Sequence, residues 1–136
     1  MPMEKFLLEK EYIKPEQLEE AKKVQHQTNQ DLGKVIVELG FAGEREILLA
    51  KAQEQGIGFA DLDRTQIESS AINVVPERIA KNHNVVPVKK EGTNLWLAMA
   101  NTNNIQAMDD VRMVSGCRVI PVMAVPGAIE DAIVKY

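Results

Sequence analysis

Few side chains in this chain have the chemistry for catalysis, and their spacing reduces the set further. Its 136 residues include two histidines, His26 and His83, and one cysteine, Cys117. Phosphate transfer, acyl transfer and zinc proteolysis each leave a motif, respectively G-x-x-x-x-G-K-[ST], G-x-S-x-G and H-E-x-x-H. None of the three occurs in the sequence. Both histidines stand in polar contexts at expected helix ends and read as exposed bystanders. Asp109 and Asp110 are neighbours on an expected helix and point to different sides, so they cannot flank a substrate as acid and base. A single cysteine permits neither an internal disulfide nor a cysteine-cluster metal site. Cys117 opens the apolar run CRVIPV and reads as a buried structural thiol. Trp96, between Leu95 and Leu97, reads as packing. The expectation is a non-catalytic chain without cofactor or metal.

Charge then narrows the binding partners. The net charge is -4, and all of the excess lies in one half: residues 1–62 carry 12 acidic and 8 basic side chains, residues 63–136 carry 8 of each. An acidic surface repels phosphate backbones, so nucleic acid is excluded as a partner. Lys22-Lys23 and Lys89-Lys90 are the only basic pairs and read as solvated faces. No apolar run approaches the ~20 residues of a membrane span, and the opening Met1-Pro2-Met3-Glu4-Lys5 lacks the order of a signal peptide. A cytoplasmic chain with no direct membrane insertion is therefore expected.

The elements that position these residues begin with Asp31–Gly56. Leu32, Val35, Ile36 and Leu39 fall on one stripe of a short helix, which Gly40 closes in a left-handed turn. A second helix starts near Glu44 and brings Ile47, Leu48 and Ala50 against the first. The same pattern occurs 29 positions earlier: Leu7 matches Ile36, Leu8 matches Val37, Tyr12 matches Phe41, Leu18 matches Ile47 and Ala21 matches Ala50. A fixed offset over apolar and aromatic sites is the mark of a tandem repeat, here of a helix-turn-helix unit. Four helices in the first sixty residues are expected, with Pro15 in the first turn of the second.

Gly56 to Phe59 ends the helical half, with Phe59 and Leu62 as anchors and Asp63–Ser70 as a polar seam. After a short helix from Pro76, closed by Asn82-His83-Asn84, Val85–Lys90 and Leu95–Ala100 read as antiparallel strands about a turn at Gly92. An amphipathic helix from Ile105 to Ser115, a strand from Cys117 to Met123 and a last helix after Pro126-Gly127 complete the order ββαβα. The fold class is thus α+β. A helical bundle over residues 1–62 precedes a small mixed three-stranded sheet over 63–136, with helices on one face.

LGKVIVELGF with GIGFADL, and HNVVPVKKEGTNLWLAMANTNN with GCRVIPVMA, together resemble the N-terminal domain of type II secretion and type IV pilus assembly ATPases (the MshE-N-like domain of general secretory pathway protein E). The resemblance covers nearly the whole chain. It implies a non-catalytic docking and regulatory domain of a cytoplasmic motor, bound to the cytoplasmic domain of an inner-membrane secretion or pilus assembly protein and to the rest of the motor. Phe6, Tyr12 and Phe41, near helix ends, are the candidate partner contacts.

The alternative that the resemblance carries is a cyclic di-GMP receptor. Binding members of the family use two such units, each opening on Arg-Leu-Gly and ending in glutamine. Here Pro2–Gln25 and Asp31–Glu54 would be the units, with His26–Gln30 between them. Leu7, Leu8 and Gln25 fit in the first, and Leu32, Gly33, Ile36, Val37 and Gly40 in the second. Asp31 stands where arginine is expected, Glu54 where glutamine is expected, and Pro2-Met3-Glu4 where the first triplet is expected. Each acid replaces attraction for a dianion by repulsion, which predicts a disarmed site.

Overall fold

The computed structural model describes residues 2–136. The chain forms one compact unit up to Gly56 and a second from Ile57 to Tyr136. That division comes earlier than the expected boundary after residue 62, because Gly58-Phe59 is already part of the sheet.

In the first unit, α1 (Met3–Glu9) and α3 (Leu32–Glu38) start 29 residues apart, as do α2 (Pro15–Thr28) and α4 (Glu44–Gln55). The turns keep the same offset. Tyr12 N–H donates to the Leu7 carbonyl at 3.0 Å, and Phe41 N–H to the Ile36 carbonyl at 3.1 Å. Glu11 and Gly40, the residues between, take φ of 59° and 77°. These are Schellman closures, in which a left-handed residue lets the following N–H reach back over the helix end. Inward residues also pair across the offset: Met3 with Leu32, Phe6 with Val35, Leu7 with Ile36, Leu18 with Ile47 and Ala21 with Ala50 are all buried in one core. Helices of seven residues do not hold in water alone. The core does the holding, since a fully buried Leu7 or Ile36 contributes about 1.5–3 kcal/mol.

The second unit contains β1 (Gly58–Phe59), α5 (Ser69–Ile72), α6 (Glu77–His83), β2 (Val85–Glu91), β3 (Asn94–Met99), α7 (Ile105–Ser115), β4 (Arg118–Met123) and α8 (Pro126–Lys135). The sheet has four strands in the order β1-β4-β3-β2, not the expected three. β2 and β3 are antiparallel, while β1 and β3 both run parallel to β4. Two residues, one of them glycine, carry no alternation to read, which is why β1 was not expected. α5 also falls at the end of the stretch expected to be polar seam, and Ile67 within that stretch is buried.

The helices cover both faces of the sheet rather than one. Leu95, Leu97 and Met99 of β3 meet Ala107 and Val111 of α7, whereas Ala98 meets Ile129, Ala132 and Ile133 of α8. Successive strand residues point to opposite faces, so α7 and α8 lie on opposite sides. Near-continuous burial along β3 follows. Local caps fix the ends of α7: Asn104 accepts from the Ala107 N–H at 3.1 Å, and Gly116 closes the helix at φ 67°. Cys117 is buried in this core.

Candidate functional site

α3 and α4 form an antiparallel hairpin, so the start of α3 lies beside the last turns of α4. α1 begins at the same end, because its Met3 N–H reaches Glu54 of α4. A groove of about 450 Å³ opens there, lined by Pro2, Met3 and Glu4, by Asp31 and Leu32, by Gln25, and by Lys51, Glu54 and Gln55. A second groove of about 340 Å³ runs between α3 and α4 over Gly33, Val37, Ile47 and Leu48, and shares Asp31 and Lys51 with the first.

Four of the expected ligand residues, Gln25, Asp31, Leu32 and Glu54, therefore meet in one groove. Gly33 and Val37 line the neighbouring one. Leu7 and Ile36 are wholly buried core residues. Leu8 packs against that core from its edge, and Gly40 forms the turn. Gly33 has a packing reason of its own: a Cβ there would lie 2.7 Å from Ile47 Cγ2. Of the expected partner contacts, Phe6 is buried, with its ring 6.2 Å from that of Tyr12, so it offers no surface. Tyr12 and Phe41 are half-buried at equivalent turns.

The acids in the first groove are already engaged. Glu54 Oε2 accepts from the Met3 N–H at 2.8 Å, holding the start of α1. Asp31 caps α3 by accepting from the Lys34 N–H at 3.2 Å, and its Oδ2 lies 3.1 Å from Lys51 Nζ. Partial burial would raise the Asp31 pKa, but the hydrogen bond and charge of Lys51, with the Lys34 and Gly33 N–H groups, outweigh it and hold the carboxyl below its usual 3.8. Glu4 lies 3.4 Å from Lys22. Sequence reasoning missed Lys51 and Lys22. They are themselves 29 residues apart, a match that the apolar comparison passed over.

In the second unit His83 is not a bystander. Its Nε2 lies 2.7 Å from Asp110 Oδ2, with only 12% of the histidine side chain exposed, and Gln106 donates to the other Asp110 oxygen. Asp109 turns away to Arg112, so the two aspartates are split as their helical spacing required. His26 is exposed. Among the described residues no group of histidine, cysteine or acidic side chains could hold a metal, and no helix is long and apolar enough to cross a membrane.

Comparison with known proteins places these features. The model of the MshEN domain matches residues 55–136. The type IV pilus assembly ATPase PilB of Myxococcus xanthus is 29% identical over 131 residues, which is 96% of this chain and 23% of that protein. PilB of Thermus thermophilus is 28% identical over 106 residues, or 74% of this chain and 12% of that protein. The chain thus spans about a quarter or less of the curated relatives it matches. Among solved structures, MshE with cdg (cyclic di-GMP) superimposes with a TM-score of 0.74 at 24% identity, covering 100% of this chain and 99% of that one. The N-terminal domain of XpsE gives 0.60 at 21% identity, covering 100% and 96%. At such identities these likenesses are of fold.

Proposed function

The chain belongs to the MshEN domain family, and from that premise we propose that it is the non-catalytic N-terminal docking domain of a type IV pilus assembly ATPase. In this reading it binds the cytoplasmic domain of an inner-membrane pilus assembly protein, and so holds the motor at the membrane from the cytoplasmic side. The observation that carries the proposal is the alignment of 96% of this chain with a quarter of PilB, in a sequence without the phosphate loop that an ATPase motor needs. Tyr12 and Phe41 are the proposed contacts. They are half-buried aromatics at equivalent turns of the two repeats, anchored by the core and open on one side.

The test is capture of the cytoplasmic domain of the inner-membrane partner encoded beside the motor, with wild-type chain and with Tyr12→Ala and Phe41→Ala. Retention by the wild type and loss of at least tenfold in each variant, about 1.4 kcal/mol, is the expected result. Equal retention by all three removes the contacts, and no retention by any removes the docking role.

Similarity in fold to MshE with cdg favours a second reading, a cyclic di-GMP receptor. We infer that this chain is not one. The groove at the repeat starts sets Asp31, Glu54 and Glu4 against a single lysine, Lys51, and charge-assisted bonds of ~1.5–3 kcal/mol are exchanged there for net repulsion of a dianion. Isothermal titration with cyclic di-GMP is expected to give no heat. Saturable micromolar binding overturns this inference and leaves the docking proposal standing.

A further inference from the structure

The tandem repeat contains its own control. The scaffold is built twice, yet the hairpin faces differ. In the first repeat Glu4 stands where the second has Gly33, Glu19 where it has Leu48, and Glu4 pairs with Lys22. That face is polar. In the second repeat Val37, Ile47 and Leu48 line a groove of about 340 Å³ beside Gly33, whose missing Cβ lets Ile47 approach closely.

The charges around the groove are ordered. Lys34 and Lys51, the latter joined to Asp31, stand at one end, and Glu38 and Glu44 at the other. The order follows from the antiparallel hairpin, in which the start of α3 faces the end of α4. Lys34, Glu38 and Glu44 form no ion pair among the described residues, and all three are exposed. A pattern of basic end, apolar middle and acidic end is complementary to itself under a two-fold rotation, which brings the basic end of one hairpin onto the acidic end of another.

We propose that the α3–α4 groove docks the α3–α4 hairpin of a second copy of this chain. The two-fold axis passes near Leu48, so the two Leu48 side chains meet. Lys34 of each copy faces Glu44 of the other. Four short helices bury a small area, so the pair is weak and reversible, at the low end of specific interfaces.

Sedimentation velocity of the full chain, from micromolar to millimolar concentration, tests the proposal. Wild type is expected to pass from monomer to dimer across that range, and Leu48→Asp to stay monomeric. Lys34→Glu and Glu44→Lys each turn two attractions into repulsions and are expected to raise the dimer Kd about tenfold. The double variant Lys34→Glu/Glu44→Lys restores complementarity with inverted polarity and is expected to dimerise as wild type does. Thermal unfolding at low concentration checks that each variant folds. A monomer at all concentrations, a dimer indifferent to Leu48→Asp or to the single charge reversals, or a double variant as weak as the singles overturns it. Recovery in the double variant is the sharpest readout, because docking of an unrelated partner would be weakened further by it.

Discussion

Gly33→Ala is expected to destabilise the chain although it places the best helix former inside a helix. At an exposed site the exchange would stabilise by about 0.5–1 kcal/mol. Here the new Cβ would lie 2.7 Å from Ile47 Cγ2, roughly an ångström inside ordinary carbon contact. Ile47 is 4% exposed and has no solvent side to turn to. Overpacking of this kind costs about 1–3 kcal/mol, so the net loss is about 1 kcal/mol. The first repeat has Glu4 at the position of Gly33, and Leu18, which has no β-branch, at that of Ile47. Ile47→Leu alone costs less than about 1.5 kcal/mol. The double variant Gly33→Ala/Ile47→Leu removes the β-branch that the new methyl meets and is expected to recover about 1 kcal/mol relative to the sum of the singles. Urea unfolding followed by far-ultraviolet circular dichroism measures all four corners of the cycle. Strict additivity would refute the steric argument, as would a stabilising Gly33→Ala.

Glu11 takes the left-handed conformation that Gly40 takes in the other repeat, at φ 59°. Glu11→Gly relieves about 1–2 kcal/mol of steric cost and adds about 0.4–1 kcal/mol of unfolded-state freedom, so a net gain of about 0.5–1 kcal/mol is expected in the same urea titration. Asp31 supplies a pH dependence. Its folded pKa lies below 3.8, so it contributes stability above that value and loses it as pH falls through the folded pKa. Asp31→Asn should therefore unfold more easily than wild type at neutral pH, by a modest amount because the side chain is 58% exposed. The difference should vanish in thermal melts taken well below pH 3.8. A difference independent of pH would refute the assignment.

The sequence revealed what recurs and concealed what happens once. The helical repeat was legible because Leu7 and Ile36, Leu18 and Ile47, and Ala21 and Ala50 keep one offset, and the structure keeps it to the residue in helix starts and turn bonds. The strands β2 and β3 were legible as apolar runs about a turn at Gly92. β1 was not, since Gly58-Phe59 is paired by a neighbour remote in sequence, β4. Coverage of both faces was concealed for a similar reason: the run Leu95–Ala100 reads as a strand, and its near-continuous burial on two sides is a tertiary fact. In the groove, Asp31 and Glu54 were found by their departures from an expected pattern, whereas Lys51 was invisible until folding set it against Asp31. His83 was misread because a polar helix end says nothing of what packs upon it, here Asp110 of α7.

The two acids of the first groove are part of the scaffold. Glu54 ties the start of α1, in the first repeat, to the end of α4, in the second. Asp31 caps α3 and holds Lys51. A cap of this sort is worth about 1 kcal/mol, a large part of the stability of so small a unit. Exchanging Asp31 for a cation would therefore remove a cap and free Lys51 together, and exchanging Glu54 would release α1. Attachment of the two repeats is a property of these carboxylates. The unit is thus joined by its own side chains at the groove where its two repeats begin.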